Sequence, residues 1–183
     1  MNIETELTPN PETLKFIVGN EYIFQTNIEI KNEKEAKRFK FSKDFFELKG
    51  VQRIFIGENF VSVTKEKDVT WNYLKTKVLT FMLDYISSNK IIIEKQVIKK
   101  ILKKNKKNKI SSDIEKIIDE KVRPAVARDG GDIIFENFDK GIVYLTLRGA
   151  CAGCPSSTAT LKQGIENLLQ HYFPEVKEVR ALN

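Results

Sequence analysis

Cysteine and histidine are nearly absent. The 183-residue chain has two cysteines, Cys151 and Cys154, and one histidine, His171. Three such residues cannot form a closed four-ligand zinc site of Cys and His within one chain. One closely spaced cysteine pair does not suit a small disulfide-stapled secreted fold. Ser-His-Asp chemistry has only His171 to draw on, and nothing beside it in sequence suggests a triad. No apolar run approaches the roughly 18 residues that span a bilayer. The start, Met1-Asn2-Ile3-Glu4-Thr5-Glu6, is acidic, with neither the apolar core of a secretory signal nor the arginine-rich character of a transit peptide. Neither is expected on this chain, although a processed form would have lost one.

What is present is an ordinary soluble balance of 41% hydrophobic and 31% charged residues, which excludes a mainly disordered chain. The length fits one or two domains of about 100–150 residues. The net charge of +6 invites a nucleic-acid reading, but its distribution argues against one. Residues 95–109 hold eight lysines and no acid; outside them 23 basic residues face 25 acidic ones. The basicity therefore belongs to one segment. That segment carries no aromatic residue for base stacking. Like charges in a block repel and stay solvated, so a tether is expected there, with no nucleic-acid or membrane partner.

The expected organisation is α+β: two small α/β-sandwich-type domains joined by a Lys-rich linker. Residues 1–90 form the first domain, 91–110 the linker or a helix extension, and 111–183 the second. In the first part, Leu14, Phe16 and Val18 alternate as in a strand, and Ile28 and Ile30 mark another. A short helix is expected over Lys43–Leu48. Val51–Ile56 and Phe60–Thr64 are strands across Gly57-Glu58-Asn59. Trp71, Leu74, Val78, Phe81, Met82, Tyr85 and Ile86 make one helical face, with Trp71 expected in the core.

In the second part, Ser112 and Glu115 have the spacing of a capping box. Ile114, Ile117, Ile118, Val122 and Ala125 mark the buried face of the helix that follows, and Pro124 should loosen its last turns. Asp129-Gly130-Gly131-Asp132 ends it. Strands over Ile133–Phe138 and Ile142–Leu147 join through Asp139-Lys140-Gly141. A helix over Ser156–Tyr172 is followed by Val176–Leu182, a strand that closes the sheet.

The chemistry sits where Cys151-Ala152-Gly153-Cys154 meets the helix opened by Pro155. Two intervening residues let both sulfurs face one small object. Pro155 suits a first helical position, and the helix N-terminus favours thiolates, so both cysteines are expected to be more acidic than free ones. A thiolate pair on a glycine-bearing loop suits soft metal, iron–sulfur or dithiol redox chemistry. The bland reading is two small buried residues or an accidental disulfide; burial alone would not need Gly149, Gly153 and Pro155.

The elements Val122-Arg123-Pro124-Ala125, Asp129-Gly130-Gly131-Asp132, Gly149-Ala150-Cys151, Gly153-Cys154-Pro155-Ser156-Ser157 and Leu161-Lys162 with Gly164-Ile165-Glu166 closely resemble the NifU C-terminal domain, an iron–sulfur cluster scaffold or carrier module. The likeness covers about residues 112–182. Thr8-Pro9-Asn10-Pro11, Thr13-Leu14-Lys15-Phe16, Gly50-Val51 and Val61-Ser62-Val63-Thr64-Lys65 resemble the N-terminal domain of Nfu proteins. The resemblance implies a carrier rather than an enzyme. It implies a 4Fe–4S cluster held by Cys151 and Cys154 and bridged between two chains as a homodimer, since such clusters want four thiolates and one chain supplies two. Ligand count alone also admits 2Fe–2S. Client apo iron–sulfur proteins and upstream cluster-assembly proteins are the implied partners. The implied compartment is the bacterial cytoplasm, or the mitochondrial matrix for a processed eukaryotic form.

The alternative from another class is a thiol–disulfide oxidoreductase using the same C-x-x-C. A thioredoxin-like fold needs further strands and a helix after the motif helix, and eleven residues follow Tyr172. A third reading is an interaction adaptor whose cysteines are incidental. His171 lies seventeen residues beyond Cys154, about 25 Å along a helix, so it is read as a helix-end residue. Asp129 and Asp132 are read as turn residues rather than ligands. Lys162 and Arg148 are candidates for holding a negative cluster.

Overall fold

The computed structural model describes residues 2–19, 27–88, 109–152 and 155–182, without the side chains of 155–157. The chain divides into two compact units, Met1–Lys103 and Lys104–Asn183. Most of the expected linker, residues 91–108, lies outside the described residues. Its last two, Lys109 and Ile110, are helical.

In the first unit the strands are β1 (Glu4–Leu7), β2 (Thr13–Ile17), β3 (Ile28–Ile30), β4 (Val51–Ile56) and β5 (Phe60–Lys65). They form one antiparallel sheet in the order β1-β2-β5-β4-β3. Its register explains the alternation in the sequence. Ile30, Ile54, Val63 and Leu14 stand opposite one another in one row, and Ile28, Ile56, Val61 and Phe16 in the next. This face packs into a core with helices α1 (Glu33–Ala36), α2 (Lys40–Phe46) and α3 (Trp71–Ser87). Phe41 and Phe45 are fully buried and meet Phe81 and Tyr85 at ring distances of 5.0–5.8 Å. Burying each such ring contributes roughly 1.5–3 kcal/mol.

Three sequence expectations shift here. The helix expected over Lys43–Leu48 runs over Lys40–Phe46, after a separate turn capped by the Asn32 side chain. Trp71 sits at the rim of the core rather than inside it, because its Nε1 donates to the exposed Pro11 carbonyl at 3.1 Å. Strand β1 has no counterpart in the hydrophobic pattern. Its residues are mostly exposed, and it exists by pairing with β2.

The second unit has a three-stranded sheet of β6 (Gly131–Asp139), β7 (Ile142–Gly149) and β8 (Glu178–Leu182). Strand β6 is antiparallel to β7, and β8 lies parallel to it. The parallel pair requires a crossover, supplied by helix α6 (Pro155–Tyr172). The hairpin turns at Lys140 and Gly141, both with positive φ, as a two-residue type I′ turn demands.

Helix α4 (Lys109–Ile117) is already running at Lys109, so Ser112 lies inside it and is not its cap. A π-helical turn, Ile118–Val122, joins α4 to α5 (Arg123–Arg128). Pro124 accounts for the break: it has no N–H to continue the ladder, and its ring crowds the preceding turn. The wider turn changes the buried face. Ile114, Ile118, Val122 and Val126, four residues apart, are the buried apolar positions, and Ala125 is only partly covered. A uniform 3.6-residue helix carries a four-residue series steadily around its axis; the wider π turn holds it on one side.

Candidate functional site

The site is built where β6, β7 and α6 converge. Strand β7 ends at Gly149, whose φ of 64° turns the chain, and Gly130, with φ of 81°, ends α5 in the same conformation. The two turns are tied together: Ala150 N–H donates to the Gly130 carbonyl at 3.1 Å. Ala152 N–H donates to Gly149 O at 3.1 Å. From the first turns of α6, the Thr158 hydroxyl donates to the Cys151 carbonyl at 3.2 Å. Cys151 is therefore held by Thr158 through its own carbonyl and by backbone hydrogen bonds of the residues on either side of it.

Its side chain lies against Gly131. A Cβ at position 131 would fall 2.8 Å from the Cys151 Sγ and 2.6 Å from the Arg148 carbonyl oxygen. Only glycine allows this approach. Cys151 is 6% exposed and belongs to the apolar core of the unit.

This corrects the expectation of an acidic thiol at Cys151. Burial pushes it up to about 12, and the Asp129 and Asp132 carboxylates push in the same direction. Removing solvent from a thiolate disfavours its charged form. Cys154 and Gly153 lie outside the described residues, so the second expected ligand is not placed.

Asp129 closes α5 as its C-cap, in keeping with a turn role. Asp132 does more: its buried carboxylate accepts from Arg123 at 3.0 Å, and Arg123 also donates to Asp119 at 2.7 Å. Sequence spacing does not single out this three-charge group. Its one signal is an acid at the inward-facing start of a strand. Arg148 stands opposite Asp132 in the β6–β7 register. His171 is exposed in the last turn of α6 against Tyr172, consistent with a helix-end role. Among the described residues no three His, Cys, Asp or Glu side chains are grouped to hold a metal ion, and no helix is long and apolar enough to cross a membrane.

Comparison with known proteins adds independent findings. Residues 114–180 match the family described as NifU-like domain, and residues 3–89 match Scaffold protein Nfu/NifU N terminal. The chain is 36% identical over its whole length to the human protein named NFU1 iron-sulfur cluster scaffold homolog, mitochondrial, and covers 72% of it. It is 39% identical to NifU-like protein 4, mitochondrial, of Arabidopsis thaliana over 98% of this chain, but covers 65% of that protein. A solution structure of a NifU-like protein from Saccharomyces cerevisiae aligns with 52% of this chain and 86% of its own, at 28% identity and a TM-score of 0.46.

Proposed function

Because the chain belongs to the Nfu family of iron–sulfur cluster scaffold proteins, we propose that it carries a 4Fe–4S cluster bridged between two chains and passes it to client apoproteins. Cys151 and Cys154 of each chain supply the four thiolates such a cluster wants. The supporting observation is the position of Cys151, locked at the end of β7 by Gly131 and Thr158, in a chain similar along its whole length to a protein named as a scaffold.

Cys151 is buried and neutral without metal. Loading therefore removes a proton and turns the sulfur toward iron, whose positive charge stabilises the thiolate in place of the proton. In transfer, a client thiolate bonds to iron as one thiolate of the carrier leaves. Ligands shared by two chains permit this exchange one pair at a time. Disulfide exchange with Cys151 as the attacking group is disfavoured, since it needs a thiolate near neutral pH and burial raises the Cys151 thiol far above that range.

The first unit contains no Cys or His and cannot ligate the cluster through soft side chains. Its proposed work is recognition of clients and upstream assembly proteins. The proposed role of the lysine-rich segment between the two units is to keep a client held by the first unit at raised effective concentration near the cysteines. The relatives named as mitochondrial support the mitochondrial alternative for this chain.

Anaerobic reconstitution with iron and sulfide tests this reading. About one 4Fe–4S cluster per two chains is expected, with sedimentation moving from monomer to dimer on loading. A chain that binds no iron yet reduces insulin disulfides overturns it.

A further inference from the structure

The π turn has a consequence beyond repacking the helix. It delivers Arg123 to a point from which the guanidinium reaches two carboxylates at once, Asp119 on its own helical surface and Asp132 at the start of β6. The two are unequal. The Asp119 side chain is 48% exposed, whereas that of Asp132 is 3% exposed. The exposed pair adds little to stability. The Asp132 carboxylate is withdrawn from water and depends on Arg123 for compensation.

Asp132 immediately follows Gly131, whose backbone is the surface on which the Cys151 sulfur rests. Asp129, the C-cap of α5, is the other carboxylate of this turn and is exposed. Of the other charged groups nearby, Arg148 stands across the β6–β7 register from Asp132. A 4Fe–4S core held by four thiolates is itself an anion. A bare carboxylate beside one of its ligands therefore opposes cluster binding, and a compensated one does so much less.

We propose that Arg123 is a positioning residue for the cysteine loop: by neutralising the buried Asp132 carboxylate, it sets how tightly the chain holds its iron–sulfur cargo. The proposal rests on the carrier reading above. It separates two roles that a structural ion pair would merge. If Arg123 and Asp132 mattered only as a clasp between α5 and β6, breaking the pair from either side would loosen the cluster. If charge is what matters, the two sides have opposite effects.

The test uses the full-length chain as wild type, Arg123→Gln, Asp132→Asn and the double variant, each reconstituted anaerobically. Cluster loss to an iron chelator is followed by visible absorbance, the midpoint potential is measured, and urea unfolding of the metal-free chain checks the fold. Arg123→Gln should lose cluster roughly 10-fold faster, in the range for residues that support metal ligands, and its potential should fall because a nearby negative charge opposes reduction. Asp132→Asn should lose cluster more slowly than wild type, with a raised potential. The double variant should return close to wild type on both readouts. Where Arg123→Gln is poorly folded, the Asp132→Asn result decides by its sign.

A double variant as labile as Arg123→Gln, an Asp132→Asn chain that sheds cluster faster than wild type, or an Arg123→Gln chain indistinguishable from wild type overturns the proposal. A wild-type chain that takes up no cluster is a different result, and overturns the carrier reading together with it.

Discussion

Replacing Gly131 with alanine adds one methyl group at the tightest point of the site. The new Cβ would stand 2.6 Å from the Arg148 carbonyl oxygen, 2.8 Å from the Cys151 Sγ and 3.3 Å from the Cys151 Cβ. The first of these neighbours is backbone in β7, held by the ladder that pairs Gly131 with Gly149, and cannot rotate away. The strand must separate or the cysteine must move. Overpacking of this kind costs about 1–3 kcal/mol, a large share of the stability of a unit this small. Urea unfolding of the metal-free chain should show a lower midpoint for the second unit, and reconstitution should yield less cluster because the Cys151 loop is displaced. Gly164 supplies the control. It lies within α6, and a methyl group added there would meet nothing within 4 Å. Gly164→Ala should therefore stabilise by about 0.4–1 kcal/mol through reduced freedom of the unfolded chain. The same chemical change is thus expected to have opposite signs 33 residues apart. Equal effects at the two positions, or an unperturbed Gly131→Ala chain with normal cluster yield, would refute the close packing of Cys151.

Other consequences are open to direct measurement. Burial raises the Cys151 thiol to about 12 in the folded chain, against about 8.5 when unfolded, so the folded state keeps a proton that the unfolded state sheds. That stability is fully present below about pH 8.5 and is lost as pH rises toward the folded value, by up to roughly 1.4 kcal/mol per pH unit; a urea-midpoint series from pH 7 to 10 should show it, and Cys151→Ala should remove it. Iodoacetamide should modify Cys151 much more slowly in the folded metal-free chain than in denaturant, read by mass spectrometry; equal rates would contradict its burial. Thr158→Val removes the hydroxyl that donates to the Cys151 carbonyl and should cost about 1 kcal/mol, visible as a lower urea midpoint of the second unit. The unit Lys104–Asn183 expressed alone should still assemble cluster, while transfer to at least one apo 4Fe–4S client should slow; loss of cluster from a folded isolated unit, or unchanged transfer to every client, would contradict the division of labour.

The parts of the fold that are readable in the sequence are those where one physical preference acts alone. Strands β2, β4 and β5 have an apolar face, and the alternation of Leu14, Phe16 and Val18 reports it directly. The strand end and helix start on either side of the cysteines are legible because Gly149 and Pro155 there serve local backbone needs. Where two preferences compete, the sequence is ambiguous. Ser112 with Glu115 has the spacing of a cap, but α4 already runs at Lys109 and the unit's core takes in Ile110. The 3.6-residue pattern points to Ala125, while Pro124 forces a wider turn and brings in Val126. Strand β1 has no apolar face to announce it. The Asp132–Arg123 pair joins residues on a helix and a strand, nine apart with a turn between them, a proximity that no periodicity encodes.

The weak acidity of Cys151 is hidden from the sequence for a related reason: a helix N-terminus is visible there, and the depth of a side chain is not. The outcome bears on how a carrier works. A thiol kept neutral and covered is a poor target for oxidants and for stray disulfide exchange, both of which act on the thiolate. On the carrier reading, the same burial means that a cluster gains Cys151 as a ligand by displacing its proton and drawing the sulfur from its contact with Gly131. On the carrier reading, the work done against the protein during loading is returned when the cluster leaves, because the sulfur regains both its proton and its place in the core. Release to a client is then favoured by the fold of the carrier as well as by the client's own thiolates. Arg123 acts on the opposite side of this balance, lowering the electrostatic resistance that Asp132 sets against the bound cluster. A carrier needs both tendencies, and here they come from residues within one turn and two strand ends.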